Sequence, residues 1–236
     1  MTAPAEPVTL PVPEDYVDAH EAALSGFVCP GSHLDGATRR AVVEESRAAR
    51  ACAFCADRRE ALSATSVSGE HTTSTDLAAG LVEVVHRLST DSGRLTRAWF
   101  EGVLASGVTR EQYVETAGLI GTSTIADTFA TALHGAPSEL APAEPGEPSG
   151  ETNEQLADVG AYVGVMDHQH PHPRFAGRPA PNICRALALV PSAVDEFWEL
   201  FSPHYRPWAA QPEDEFGRSQ IEFVASRTSA LNECFY

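Results

Sequence analysis

The amino-acid sequence predicts an all-α protein, and three observations support this. Apolar residues recur at helical spacing, so that one predicted helix carries its apolar side chains on a single face. That face is formed by Leu77, Leu81, Val84, Val85 and Leu88. Helix-start signals precede long stretches of helix-forming residues: Asp35 in one case, and Thr109 with Gln112 at capping-box spacing in another. No sustained alternation of apolar and polar residues indicates a strand, and the short run 161–166 is the best candidate.

Caps and interruptions position the individual helices. Asp35 begins a first helix that we predict over 38–62, because this stretch has no Gly or Pro; a Ser/Thr-rich loop follows over 63–75. Thr109 begins another helix, which runs through 113–133. The other predicted helices cover 77–89, 95–104, 182–189, 192–201 and 219–233.

Composition along the chain predicts two helical modules joined by a linker. Residues 1–33 are rich in Pro, Ala and Glu, and we expect an irregular lead-in there. Residues 34–135 form the first module, and the Pro-, Glu- and Gly-rich stretch 136–158 forms the linker. Residues 159–236 are expected to form a second, related but incomplete module.

Charge and hydropathy exclude several classes of partner. The 236 residues include 16 basic and 33 acidic side chains, giving a formal net charge of −17 that repels nucleic acids and anionic membrane surfaces. No run approaches the ~18 apolar residues of a membrane helix. The N-terminus lacks the basic and apolar regions of a signal peptide. We therefore expect a cytoplasmic protein, in which the five cysteines serve in chemistry or in the core rather than as a disulfide scaffold.

The clearest chemical motif is a pair of cysteines, Cys52 and Cys55, within the first predicted helix. Residues three apart share a helix face, so the two sulfurs can form a reversible disulfide. In such a pair we expect the first thiol to be activated and the second to resolve the intermediate. Two alternatives stay open: both thiols can be buried apolar groups, or Cys29 and His33 can join them around zinc.

Three histidines between prolines also invite a metal site, namely His168, His170 and His172. The prolines and the irregular surrounding sequence make a loop the better interpretation. No Gly-x-Gly-x-x-Gly motif indicates a dinucleotide, so we expect neither a resident metal nor a cofactor.

The C-terminal helix carries a second cysteine motif, in which Glu222 precedes Cys234 by twelve residues. This stretch resembles the AhpD-like, carboxymuconolactone decarboxylase superfamily of all-helical thiol enzymes. In that family a Glu, a CxxC twelve residues later and a His four residues beyond it share one helix. Here the chain ends at Tyr236, before the second cysteine expected at position 237 and the histidine at 241. A UGA selenocysteine codon read as a stop and a clipped or mutated gene are both open explanations.

The first module is similar to the companion half of double-module members of this family. It departs from the motif, because Arg40 and Arg59 occupy the positions of the family's Glu and His. Glu45 is a candidate replacement for the Glu, as is its neighbour Glu44, and His86 is a candidate for the His. Each can instead be an ordinary helix-face residue.

The resemblance implies a thiol-dependent peroxidase that reduces a small hydroperoxide and is regenerated by an external dithiol reductant. It also implies a homo-oligomer. The same fold supports lactone decarboxylation without cysteines, so that branch is one alternative. The other is a non-catalytic or redox-sensing helical module. Glu222 can also simply complete a capping box with Ser219, and Cys234 can be a core residue.

Overall fold

The computed structural model describes residues 11–205 and 217–231. This part of the chain contains nine α-helices and one two-stranded sheet, which confirms the all-α prediction. The helices are α1 (Glu14–Gly26), α2 (Gly36–Ala49), α3 (Ala53–Glu60), α4 (Ala79–Thr90), α5 (Arg97–Ala105), α6 (Arg110–Ala132), α7 (Asn182–Ala186), α8 (Pro191–His204) and α9 (Arg218–Leu231).

The sheet is a minor element. Strand β1 (Leu156–Ala157) pairs antiparallel with β2 (Val165–Met166), with Leu156 opposite Met166. The predicted run 161–166 is therefore a strand only in its last two residues. Among the described helices, none combines the length and the apolar character needed to cross a bilayer.

The long helix α6 lies at the centre of the packing. Its predicted start is confirmed, because the Thr109 side chain accepts from the Gln112 N–H and the Gln112 side chain accepts from the Thr109 N–H. Helices α2, α4 and α8 all pack against it. A Cβ at Gly118 would lie 3.0 Å from the Cβ of Ala193, so glycine lets α6 and α8 approach closely.

The break between α2 and α3 corrects the prediction of one helix over 38–62. Helix α2 starts as predicted, with the Asp35 side chain accepting from Thr38, but it ends at Ala49. Cys52 then has extended backbone and occupies the N-cap of α3. No Gly or Pro marks this break, so local sequence did not reveal it. Its consequence is that Cys52 at the N-cap and Cys55 in the first turn both lie at the start of a helix, where the backbone dipole favours negative charge.

The expected irregular lead-in is wrong for residues 14–26, which form α1. Pro13 precedes this helix, and acidic side chains occupy its first turn, a pattern typical of helix starts. Helix α1 packs against α8, and Phe27 at its end is 1% exposed. Residues 14–27 are thus part of the packed fold.

The stretch expected as a linker contains no helix, although strand β1 lies near its end, and it is hydrogen-bonded to the segment that joins α1 to α2. Glu144 N–H donates to the carbonyl of Val28 at 2.8 Å, and Gly150 N–H donates to that of Ser32 at 2.7 Å. Leu140 packs against the core cluster that contains Phe27. Residues 136–158 therefore form an ordered strap along the surface.

Candidate active site

The two thiols of the CxxC motif are buried together with two histidines. Cys52 and Cys55 are each 3% exposed, and both are free thiols. Their sulfurs and one ring nitrogen from each of His71 and His86 all lie within 4.8 Å of one another. The Phe54 and Val67 side chains pack beside the thiols. The site is therefore a small, largely enclosed cluster of four nucleophilic or basic groups.

A chain of hydrogen bonds leads from Cys55 to a buried carboxylate. The Cys55 sulfur lies 3.2 Å from Nδ1 of His86, and Nε2 of His86 lies 2.8 Å from Oε1 of Glu45. His86 comes from α4 and Glu45 from α2, and both are 0% exposed. The structure thus brings together four of the predicted site residues: Cys52, Cys55, Glu45 and His86.

Other donors fix the position of Glu45. Its Oε2 accepts from the Ser74 N–H at 3.0 Å and from the Thr75 hydroxyl at 2.7 Å. Burial raises the pKa of this carboxyl, but these hydrogen bonds together with that of His86 outweigh burial and lower it. Glu45 is therefore an anion at neutral pH. Its neighbour Glu44 is half-exposed and pairs with Arg40 on the surface, so it takes no part in the site.

His71 is the site residue that sequence analysis missed. Its Nδ1 lies 3.4 Å from the Cys55 sulfur and 3.8 Å from the Cys52 sulfur. Its Nε2 lies 2.8 Å from Oε2 of Glu83, which also pairs with Arg58. His71 belongs to the irregular segment between α3 and α4, where no helical periodicity predicts which side chains point inward. A lone histidine in a Ser/Thr-rich loop is a weak signal.

The electrostatics of the cluster favour a thiolate. Burial raises the pKa of the Cys55 thiol, but hydrogen bonds with His71 and His86 outweigh burial and bring it to about 6. Burial lowers the pKa of His71, yet its bonds to Cys55 and Glu83 raise it to about 10. Burial also opposes ionisation of Glu83, whose donors nevertheless hold its pKa at about 2. The opposite directions of these shifts, downward for Cys55 and upward for His71, favour a thiolate that faces an imidazolium.

Cys55, the second thiol of the motif, is the better activated one. It contacts both imidazoles, whereas Cys52 contacts only His71 and at a longer distance. Burial raises the pKa of Cys52, and the N–H of Cys55 together with His71 lowers it overall. The expectation that the first thiol is the activated one is therefore revised. The reason is that the imidazoles approach from the side of Cys55.

The alternative zinc set predicted from sequence does not form. The Cys29 thiol donates to the carbonyl of Ser25 at 3.2 Å, and the His33 N–H donates to Glu115 at 2.6 Å. Both belong to the segment beside α1, not to the thiol cluster. His71 and His86 stand in the places that Cys29 and His33 were expected to fill.

The histidines of 168–172 lie in a loop, as expected. His170 pairs with Asp167, and His172 approaches Asp195 at 3.5 Å. Among the described residues they belong to no cluster able to hold a metal ion.

The second cysteine motif is only partly described. Glu222 lies on α9, where its Oε1 accepts from the Tyr205 hydroxyl at 2.6 Å. Cys234 lies outside the described residues. A catalytic role for this pair stays a prediction.

No protein-family model, curated protein or solved structure matches this chain.

Proposed function

We propose that this protein is a thiol-dependent peroxidase that reduces small hydroperoxides through the Cys52–Cys55 dithiol. The observation that carries the proposal is the buried chain from Cys55 through His86 to Glu45, with His71 on the other side of the sulfur. A thiolate held between imidazoles is the form of cysteine that attacks peroxides. The family resemblance of the sequence supports the same chemistry.

In the proposed reaction the Cys55 thiolate attacks one oxygen of the peroxide, and the O–O bond breaks. The departing alkoxide takes a proton from the adjacent imidazolium and leaves as an alcohol, so Cys55 becomes a sulfenic acid. The Cys52 thiol gives its proton to the imidazole left neutral by the first step and attacks the Cys55 sulfur. A disulfide forms, and the hydroxide takes that proton back from the imidazole and leaves as water. The two electrons that reduce the peroxide come from the two thiols. An external dithiol restores them by exchange.

Burial of the thiols favours a small substrate. Each cysteine is 3% exposed, and the segment that carries His71 lies over them. Hydrogen peroxide and short alkyl hydroperoxides reach such a site with the least displacement of this segment. The decarboxylase alternative lacks cysteines in its family, so the dithiol favours the peroxidase.

The redox-sensing alternative shares the first oxidation and differs in turnover. A sensor is oxidised once per chain, whereas a peroxidase consumes many equivalents of peroxide when a dithiol is supplied. Burial of the thiols is the observation that favours a sensor, because a reductant that cannot easily reach the disulfide would limit turnover.

The test is peroxide consumption by the full chain with excess dithiothreitol, in EDTA to keep metal ions off the thiols. We expect turnover in the native protein and none in Cys55→Ser. Cys52→Ser should stop at a sulfenic acid that dimedone traps. Cys184→Ser is the matched control, since burial raises the pKa of that thiol to about 11 and it should not react. Full activity of Cys55→Ser would contradict the proposal, and one equivalent consumed without turnover would favour the sensor.

A further inference from the structure

The four groups around the thiols have the composition and spacing of a metal site. We propose that the reduced protein binds one Zn²⁺ through the sulfurs of Cys52 and Cys55 and the Nδ1 atoms of His71 and His86. Two thiolates and two imidazoles are a ligand set that suits zinc, whereas Mg²⁺ and Ca²⁺ require oxygen ligands.

The separations between the ligand atoms fit tetrahedral coordination. With Zn–S near 2.3 Å and Zn–N near 2.0 Å, a tetrahedral site places sulfur and nitrogen about 3.5 Å apart. The three sulfur–nitrogen contacts here are 3.2, 3.4 and 3.8 Å. All pairs of ligand atoms lie within 4.8 Å. Adjustments of side-chain torsions suffice to close the site around an ion.

Both histidines are oriented as metal ligands are. A histidine ligand characteristically donates its second ring N–H to a carboxylate, which fixes the ring and raises its basicity. Nε2 of His71 lies 2.8 Å from Glu83, and Nε2 of His86 lies 2.8 Å from Glu45. Each ring therefore turns its Nδ1 toward the sulfurs. Two independent carboxylates from α2 and α4 impose this orientation.

Charge balance in the buried cluster also favours the ion. Two thiolates carry two negative charges, which Zn²⁺ neutralises at a site that solvent hardly reaches. Cys52 is the N-cap of α3 and Cys55 lies in its first turn, and the helix dipole there further favours thiolates. His71 is the one ligand from an irregular segment, so binding would also fasten residues 61–78 onto α3.

Zinc binding would regulate the same thiols, and this second consequence rests on the proposed function. Bound zinc holds both thiolates and slows their attack on peroxide. When peroxide does oxidise the pair, two thiolates give a disulfide and two electrons, and the peroxide takes two protons to give an alcohol and water. The disulfide no longer supplies two ligands, so Zn²⁺ is released.

The test is metal binding by the reduced full chain, prepared free of metal. A titration with Zn²⁺ against a chromophoric chelator should give one ion per chain. Co²⁺ should give the visible bands of tetrahedral coordination and the near-ultraviolet thiolate charge-transfer band. Cys52→Ser and His71→Ala should each weaken binding by more than the roughly 10–100-fold typical of losing an outer partner. Circular dichroism would check that each variant is folded.

The matched controls are the double variant Cys29→Ser with His33→Ala, and Cys184→Ser, which should bind as the native chain does. No binding by a reduced chain that still turns over peroxide in EDTA would overturn the zinc inference and leave the peroxidase intact. Stoichiometric zinc binding by a chain that does not turn over peroxide in EDTA would support the zinc inference and overturn the peroxidase. Loss of binding in the Cys29/His33 variant, with His71→Ala unaffected, would also overturn the assignment.

Discussion

At the scale of single residues, Glu44 and Glu45 are identical in chemistry and differ entirely in role. Glu45 is fully buried and accepts hydrogen bonds from Ser74, Thr75 and His86, whereas Glu44 lies on the surface beside Arg40. We predict that Glu45→Gln slows oxidation of Cys55 by about 10–100-fold, because a neutral amide polarises the imidazole less. The measurement is the second-order rate of the reduced protein with hydrogen peroxide in EDTA.

Glu44→Gln is the control, and its rate should match that of the native protein. Thermal unfolding of both variants shows whether a slower rate comes from the altered hydrogen-bond chain of Cys55, His86 and residue 45 or from a destabilised fold. An unchanged rate in a folded Glu45→Gln variant would show that the Glu45 carboxylate does not contribute to the oxidation of Cys55.

The sequence located most of the cluster but not all of it. The CxxC spacing identified Cys52 and Cys55, and the resemblance, which implies a Glu and a His near the thiols, made Glu45 and His86 candidates. His71 could not be found in this way, because an irregular segment has no period and its contacts with the thiols form only in the tertiary structure. Which of the two thiols has the lower pKa was also not predictable, since the positions of the imidazoles decide it.

At the scale of helices, capping residues predicted the starts of helices better than the helix propensity of the sequence predicted their ends. Asp35 and Thr109 mark the starts of α2 and α6 because each caps the helix through its own side chain. The end of α2 at Ala49 has no local signal, because helix-forming residues continue through it and no Gly or Pro interrupts them. Helix α1 was missed because the surrounding prolines dominated the composition, although Tyr16, His20 and Phe27 have helical spacing.

The contact between α1 and α8 contains a pair of histidines, and their titration makes the contribution of this contact to the free energy of unfolding depend on pH. Nε2 of His20 lies 2.9 Å from Nε2 of His204, and both rings pack against Phe129. Burial lowers the pKa of His20 and, with the neighbouring His20, that of His204 below the usual 6.5. The unfolded chain therefore binds protons in a range where the folded one does not.

It follows that the contribution of this pair to the free energy of unfolding is fully present above about pH 6.5 and is lost as pH falls through the lowered pKa values. We predict that His204→Phe reduces the difference in unfolding free energy between about pH 7.5 and about pH 5.5, because this variant removes one titrating group and keeps an aromatic ring. Urea denaturation at the two pH values measures it. The exposed His168, replaced by Gln, is the control, and an equal change in both variants would contradict the prediction.

At the scale of the whole molecule, the described helices on the two sides of the expected linker pack directly against one another. Helix α8, which follows the expected linker, packs on α1 and α6, which precede it. One core cluster joins Val114 of α6 to Phe197 of α8. The expected homo-oligomer stays a prediction. Exposed apolar side chains on α9, with Phe223 at 72% exposure, are consistent with such an association.

Arg39 forms a buried network of ion pairs and hydrogen bonds between the same helices. Its guanidinium is buried, pairs with Glu115 of α6 at 2.6 Å and with Glu196 of α8 at 2.8 Å, and also donates to the carbonyl of Gly26 at the end of α1. One side chain of α2 thus joins four helices that span the expected module boundary. Removing it would leave the Glu115 carboxylate buried without its cation, which is far more costly than losing a surface pair.

We therefore predict that Arg39→Met lowers the free energy of unfolding by about 3–5 kcal/mol. Arg40→Met is the matched control on the next residue, and its exposed pair with Glu44 should contribute less than about 1 kcal/mol. Because the network ties both sides of the strap, the native chain should unfold in one transition, with circular dichroism and tryptophan fluorescence coinciding in urea. Two separate transitions, or equal losses in the two variants, would show instead that the helices on either side of residues 136–158 fold independently.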